Sequence, residues 1–412
     1  MGLTSGVAGI LHDDEIPVDA VLVRALVDRA LPQYADLPVR RLDASGSTNA
    51  LFRLGDDLLV RLPRQPGGSA AIAKEARWLP VLGPLLPAGV PEVVAVLEPG
   101  CGYPEHWSVV RWIDGEHPEV VTPETPADPR RADLAADLAE VVNALGRAGV
   151  PSGAASDPAL HWYRGEPLAT MDAVTRQNIG RCRALSDFGY DLDAAERLWD
   201  EAMRLPGAED RPAPRWYHGD LTAENLLVRD GRLAAVLDFG ALSVGDPAVD
   251  LVVAWEVLDP PAREVFRRKA GVDDATWLRG RAWALSLTFM IWYYWATMPQ
   301  RRARSIAVGR NVLADAGQLA CGSFQQDGGA VQVRPDAGEF QPVAEPGRGV
   351  PQRGGQDPAG PDLSFCFQWR SRAWSRLRAA LMRARWVKAW GKLPRASPEW
   401  PTCSAYRPTW LA

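Results

Sequence analysis

The stretch His218-Gly219-Asp220-Leu221-Thr222-Ala223-Glu224-Asn225, followed thirteen positions later by Asp238-Phe239-Gly240, decides the fold of this chain. It has the residue types and spacing of an H-x-D-x-x-x-x-N catalytic loop and a D-F-G segment. Phosphoryl transfer passes through a loose transition state, so a protein serves it by placing the reactants and neutralising charge on the transferring oxygens. Asp220 is the candidate catalytic base for an attacking hydroxyl. Asn225, with a neutral amide oxygen, and Asp238, with a carboxylate, are the candidate ligands of Mg²⁺, a hard cation that takes few protein ligands and completes its shell with phosphate oxygens and water. Leu226-Leu227-Val228 predicts a strand, Arg229-Asp230-Gly231 a hairpin turn and Arg232 to Phe239 the returning strand, which brings Asn225 and Asp238 to one end of a hairpin.

Only nine residues, Ala241 to Val249, separate Gly240 from Asp250. That leaves no room for a long phosphorylatable activation loop. The segment Gly245-Asp246-Pro247-Ala248-Val249-Asp250-Leu251 then leads into an apolar helical run. On these three motifs, at 218–225, 237–240 and 245–251, the chain resembles the aminoglycoside phosphotransferase family, which is related to the macrolide, choline, homoserine and fructosamine kinases. The resemblance implies an α+β, protein-kinase-like two-lobed fold with a small β-rich N-lobe and a larger, mainly helical C-lobe. It implies ATP or GTP with Mg²⁺ as cofactors, and a structural role for Asp250 in bracing the catalytic loop.

The N-lobe is expected over 1–112. Val39 to Ala44, Ala50 to Leu54 and Leu58 to Leu62 predict three strands joined by two turn-prone segments. The first turn, Ser45-Gly46-Ser47-Thr48-Asn49, has a single glycine, so backbone amides and the Ser47 and Thr48 hydroxyls are the candidate phosphate contacts. The third strand carries no lysine, since the chain's lysines are Lys74, Lys269, Lys388 and Lys392. Arg61 is the candidate replacement, paired with Glu75 in a helix expected over Ala70 to Leu82. Trp107 to Glu116 resembles the hinge of the family, which places Trp112 and Ile113 beside the nucleotide base.

Beyond the hinge, over 113–317, helices are expected at Ala132 to Leu145 (Leu134, Leu138, Val141 and Leu145 on one face), from Asp172, and at Leu192 to Leu205 (Leu192, Ala195, Trp199 and Met203). The last helix lies within Arg304 to Gly317. Asp172, Asp191, Asp193, Glu196, Asp200 and Glu201 make the region where the family inserts its substrate helices acidic, which suits a cationic hydroxyl-bearing acceptor.

Residues 318–412 differ in kind, being rich in Gly, Pro, Gln, Arg and Trp, and are expected to be a disordered or non-native tail, with a membrane- or acid-binding segment at Arg370 to Lys392 as the alternative. They carry 13 basic residues against 7 acidic, or +6, whereas residues 1–317 carry 33 against 44, or −11. An acidic core argues against a nucleic-acid partner. The five cysteines form no close pair, Met1 to Leu11 lacks the basic start of a signal peptide, and the uncharged run Ala282 to Met298 sits where the family buries a helix. A cytoplasmic protein is therefore expected. Two functions stand: a small-molecule O-phosphotransferase acting on an aminoglycoside-type antibiotic or a cellular metabolite of the choline, homoserine or amino-sugar kind, and a catalytically idle kinase-like binding protein.

Overall fold

The computed structural model describes residues 14–42, 48–154, 157–210 and 213–317. The expectation for the segment 318–412 therefore falls outside the described residues. Asp19 caps α1 (Ala20–Ala30) by accepting from the Leu22 amide at 2.8 Å. The helix lays Val23, Leu26 and Val27 into a core shared with an antiparallel sheet. That sheet is made of β1 (Val39–Arg41), β2 (Asn49–Leu54) and β3 (Leu58–Pro63), then, beyond α2 (Ser69–Leu82), of β4 (Val93–Leu97) and β5 (Trp107–Arg111). Its strand order is β1-β2-β3-β5-β4. Along β2 the side chains alternate, with Ala50, Phe52 and Leu54 buried and their neighbours half-exposed, which is the period-two pattern of a sheet with one covered face. Burying Phe52 alone contributes about 2–3 kcal/mol.

Helix α2 leaves this core. Its Trp78, Leu79 and Leu82 join the larger hydrophobic cluster of the C-lobe, while Glu75 faces the sheet side and is buried. The C-lobe follows with α3 (Arg131–Arg147), α4 (Asp172–Arg183), α5 (Leu192–Ala202), the short strands β6 (Arg215–Tyr217), β7 (Leu226–Arg229), β8 (Arg232–Val236) and β9 (Ser243–Gly245), then α6 (Val253–Glu256), α7 (Pro260–Ala270), α8 (Asp274–Thr288) and α9 (Pro299–Asp315). The expected face of α3 is buried as a set. On α5 the buried face is rotated toward Ala194, Leu198 and Ala202, so Ala195 and Trp199 are buried while Leu192 and Met203 are only half-buried.

Two pairs of short strands carry the loops that matter. β7 and β8 form the expected hairpin, and its turn residues Asp230 (φ 53°) and Gly231 (φ 76°) both take the left-handed conformation that a tight two-residue turn demands. The returning strand is shorter than expected. It ends at Val236 because Asp238 turns left-handed (φ 55°) and Phe239–Ala241 closes a 3₁₀ turn. The run Ala282 to Met298 is also not one helix, since α8 stops at Thr288 and a 3₁₀ segment, Phe289–Tyr294, follows. Among the described residues no helix is long and apolar enough to cross a membrane.

The segment after β9 is pinned from within. Asp246 caps it through the Ala248 amide (3.0 Å) and meets Arg279 of α8 (Nε to Oδ2, 3.2 Å), both side chains being buried. A second arm of Arg279 donates to the Pro206 carbonyl at 2.8 Å. Removing one partner of a buried ion pair leaves an uncompensated charge, which costs about 3–5 kcal/mol. Arg279→Ala is therefore expected to lower unfolding stability by about that amount in a denaturant titration, and a change under about 1 kcal/mol would show that this pair does not hold α8 to the loop.

Candidate active site

Strand β6 feeds straight into the catalytic loop. The backbone amides of His218 and Gly219 both donate to the buried carboxylate of Asp250, at 2.7 and 2.8 Å, so one side chain fixes two consecutive peptide groups. Gly219 has φ +84°, and a Cβ there would lie 2.8 Å from the Ala241 carbonyl, so the position needs glycine. His218 is buried with its ring edge on Phe239, centroids 4.7 Å apart. Its Nδ1 accepts from the Asp220 amide (3.2 Å), so Nε2 carries the proton donated to the Leu237 carbonyl (3.0 Å). The histidine is thus a brace between loop and hairpin.

Asp220 emerges from this brace with its side chain 37% exposed. The Asn225 amide nitrogen donates to both its carbonyl oxygen (2.8 Å) and its Oδ2 (3.0 Å). With the nitrogen used in this way, the amide oxygen of Asn225 is the end left for a hard cation. Burial raises the Asp220 carboxyl, but Arg164 beside it, helped by His218 and Arg304, holds it below the ordinary carboxylate range.

The hairpin brings the next residue in. Leu237 N donates to Asn225 O at 2.8 Å, so Asp238, one residue on, sits at the same end of β7–β8 as Asn225. The Asp238 Oδ1 accepts from the Gly240 amide at 3.3 Å and lies 3.7 Å from Arg61 Nη2. Asn225 and Asp238 together offer the oxygen donors that fit Mg²⁺.

Arg61 on β3 and Glu75 on α2 meet as a fork, at 2.5 and 3.2 Å, with both side chains buried. Burial works against the charge on Arg61, while Glu75 and then Asp238 favour it, and the guanidinium stays charged. Lys74, next to Glu75, reaches the Gly240 carbonyl at 3.0 Å and ties α2 to the D-F-G segment. At the start of α2, Glu105 accepts from the Gly67 and Ser69 amides (2.9 Å each) and from the Ser69 hydroxyl, acting as an N-cap supplied from outside the helix.

The remaining sequence-derived candidates are more dispersed. Ser47 lies outside the described residues. Thr48 is exposed before β2, and its carbonyl accepts from the Arg64 amide at 2.9 Å. Trp112 and Ile113 are half-buried after β5; the Trp112 amide donates to the Asp57 carbonyl (2.8 Å), and the Arg53 guanidinium stacks 3.6 Å over its ring. The acidic helices are largely self-neutralised. Arg176 meets Asp172 and Asp200 at 2.9 and 2.7 Å, and Arg183 meets Asp193 and Glu196 at 2.5 and 2.7 Å. Asp191 caps α5 through the Asp193 and Ala194 amides.

Two features escaped the sequence. Arg164, which no sequence motif singles out, bonds Asp220 directly at 2.6 Å. Arg301 and Arg304 of α9 reach Glu224 in the catalytic loop at 3.2 and 2.9 Å, and Arg304 also meets Glu256 at 3.4 Å. No local pattern signals such contacts, because the partners are far apart in the chain.

The model of the Phosphotransferase enzyme family matches residues 39–283. This chain belongs to that family. An aminoglycoside 3'-phosphotransferase of Escherichia coli is 33% identical over 96 residues, covering 22% of this chain and 34% of that protein. One of Salmonella typhimurium is 29% identical over 110 residues, covering 25% and 39%. The chain thus aligns with little more than a third of the length of these curated relatives. The solved GDP complex of an aminoglycoside 2'-phosphotransferase-IIIa superposes with TM-score 0.54 at 18% identity, covering 73% of this chain and all of that one. The GDP and kanamycin complex of APH(2")-IIia gives TM-score 0.52 at 21% identity, covering 72% and 98%. These likenesses establish the α+β, protein-kinase-like fold of this phosphotransferase-family chain.

The Arg61–Glu75 fork carries its own test. Arg61→Ala is expected to weaken Mg·ATP binding at least tenfold by calorimetry and to cost about 3–5 kcal/mol of stability, because Glu75 is left buried and unpaired. Arg61→Lys should recover part of both, since the charge returns without the fork. Unchanged nucleotide affinity in Arg61→Ala would place the phosphate contact elsewhere.

Proposed function

We propose that this chain transfers the γ-phosphoryl group of ATP or GTP to a hydroxyl of a small molecule, with an aminoglycoside-type antibiotic as the first acceptor class. The observation that carries this is the gathering of Asp220, Asn225 and Asp238 on one loop-and-hairpin unit, with the Arg61–Glu75 pair 3.7 Å from Asp238. That gathering, rather than the holding of any one carboxylate, favours transfer over an idle binding protein.

In the proposed reaction Asp220 takes the proton of the acceptor hydroxyl as its oxygen attacks the γ-phosphorus and the bond to the β-phosphate oxygen breaks. Asn225 and Asp238 hold Mg²⁺, which supplies charge neutralisation on the phosphate oxygens when bound. Arg61, kept charged and oriented by Glu75, faces the phosphates. Trp112 and Ile113 would flank the base, and Thr48 is the described candidate for a phosphate contact ahead of β2.

The acceptor class rests on the relatives, which are aminoglycoside phosphotransferases, one of them solved with GDP and kanamycin. Charge adds little to that choice. Asp172, Asp193, Glu196 and Asp200 meet Arg176 or Arg183, so most of the acidity counted along this region is already paired within the protein.

Two measurements decide the reading. Asp220→Ala should cut turnover by about 10²-fold or more while sparing nucleotide affinity, whereas Asp238→Ala should abolish Mg²⁺-dependent nucleotide binding. Near-normal turnover in Asp220→Ala would remove the base. In competition among kanamycin, a macrolide, choline, homoserine and a neutral sugar, kanamycin should be phosphorylated with the highest kcat/KM. Turnover of the neutral sugar alone would displace the antibiotic acceptor and leave phosphoryl transfer standing.

A further inference from the structure

The segment Trp162 to Glu166 is welded to the back of the catalytic loop. The Tyr217 hydroxyl donates to the Trp162 carbonyl at 3.1 Å, and the Asp246 amide donates to the Gly165 carbonyl at 3.0 Å. Both contacts require glycine. A Cβ on Gly165 would lie 2.3 Å from the Tyr217 hydroxyl, and one on Gly245 would lie 2.4 Å from the Gly165 carbonyl. The backbones at Gly165 and Gly245 and the Tyr217 ring are therefore in close contact here, which fixes the root of the side chain that leaves this segment toward the catalytic loop.

That side chain is Arg164. Its Nη1 donates to the Gly219 carbonyl at 2.7 Å and to Asp220 Oδ1 at 2.6 Å, while its Nε donates to the Tyr163 hydroxyl at 3.0 Å. Only 16% of the side chain is exposed. Asn225 holds Oδ2 of the same carboxylate from the other side. The two donors come from different segments of the C-lobe, and together they fix the plane of the Asp220 carboxylate.

Resting on the proposed role of Asp220 as the base, we infer that Arg164 is a positioning residue for phosphoryl transfer, an arginine supplied from outside the catalytic loop that holds the Asp220 carboxylate in line with the acceptor hydroxyl. A carboxylate hanging on one donor can rotate about its χ angles. Misplacing a reacting group by about 1 Å costs on the order of 10²-fold in rate, so a second, charged donor is worth having. The arrangement also joins the base to the acceptor side of the molecule. Arg164 precedes the Leu168–Met171 turn and α4 by only a few residues, so an acceptor that shifts this region shifts the hand that holds Asp220.

The test compares Arg164→Ala, Arg164→Lys and Asp220→Asn for Mg·ATP turnover with water and with kanamycin as acceptors, alongside ATP affinity and melting temperature. Arg164→Ala should lose about tenfold or more in kcat, with ATP affinity within about twofold of wild type. Arg164→Lys, or added methylguanidinium on Arg164→Ala, should restore part of the loss. Wild-type kcat in Arg164→Ala, with Asp220→Asn inactive, overturns the role of Arg164 alone. A joint fall of kcat, ATP affinity and melting temperature that neither lysine nor methylguanidinium repairs also overturns it, since that marks an arginine needed only for folding. Wild-type turnover in Asp220→Asn would instead remove the base itself, and the proposed function with it.

Discussion

Everything in the candidate site is measured from one buried carboxylate. Asp250 accepts the amides of His218 and Gly219 in parallel, which removes the freedom of the peptide that leads into Asp220. Two hydrogen bonds to an ionised acceptor contribute about 1.5–3 kcal/mol each, enough to hold Gly219 in a left-handed conformation wedged under the Ala241 carbonyl. Asp250 is buried, and its hydrogen bonds come from backbone amides. Burial pushes its carboxyl above the ordinary range, while His218 and the two amides oppose that shift. A group so placed has little chemistry of its own to perform, and its work is geometric.

From that anchor the loop and the hairpin behave as one piece. His218 spans them through Leu237, Leu237 bonds back to Asn225, and Asn225 bonds back to Asp220. The left-handed turn at Asp238 then carries its carboxylate out of the strand toward Arg61. Had the strand run on to Phe239, as alternation alone predicts, the period of two would have tied the direction of Asp238 to its neighbours in the sheet. Strain at this residue is accepted because the Gly240 amide caps it and Phe239, fully buried, pins the turn.

The parts of the site legible in the sequence are those whose members lie within one motif or on adjacent elements. The catalytic loop spans eight residues, the hairpin turn is encoded by Asp230-Gly231, and the Arg61–Glu75 pair follows from a strand position and the buried side of the next helix. What could not be read depends on partners brought together by folding. Arg164 lies 56 residues from Asp220, and Arg301 and Arg304 lie about 80 from Glu224. The pairing of the acidic residues of α4 and α5 was hidden for the same reason. Counting carboxylates says nothing about Arg176 and Arg183, which face them. The shift of the buried stripe on α5 from Leu192 and Met203 to Ala194, Leu198 and Ala202 is likewise set by which neighbours pack on the helix.

A common choice runs through these contacts. With four lysines in the whole chain, the cations of the site core are overwhelmingly arginines: Arg61 on Glu75 and Asp238, Arg164 on Asp220, Arg304 on Glu224 and Glu256, and Arg279 on Asp246. Lysine in these places would return the charge without the planar fork, so a carboxylate held at two points would be held at one. Arginine keeps its charge, and its fork can serve two acceptors at once, as Arg61 does between Glu75 and Asp238. The price is reach, because a guanidinium needs two acceptors in its plane rather than one in any direction. At Arg164 one nitrogen, Nη1, meets both the Gly219 carbonyl and Asp220 while Nε meets the Tyr163 hydroxyl, and the glycine-backed segment behind it brings the backbone close enough for those contacts.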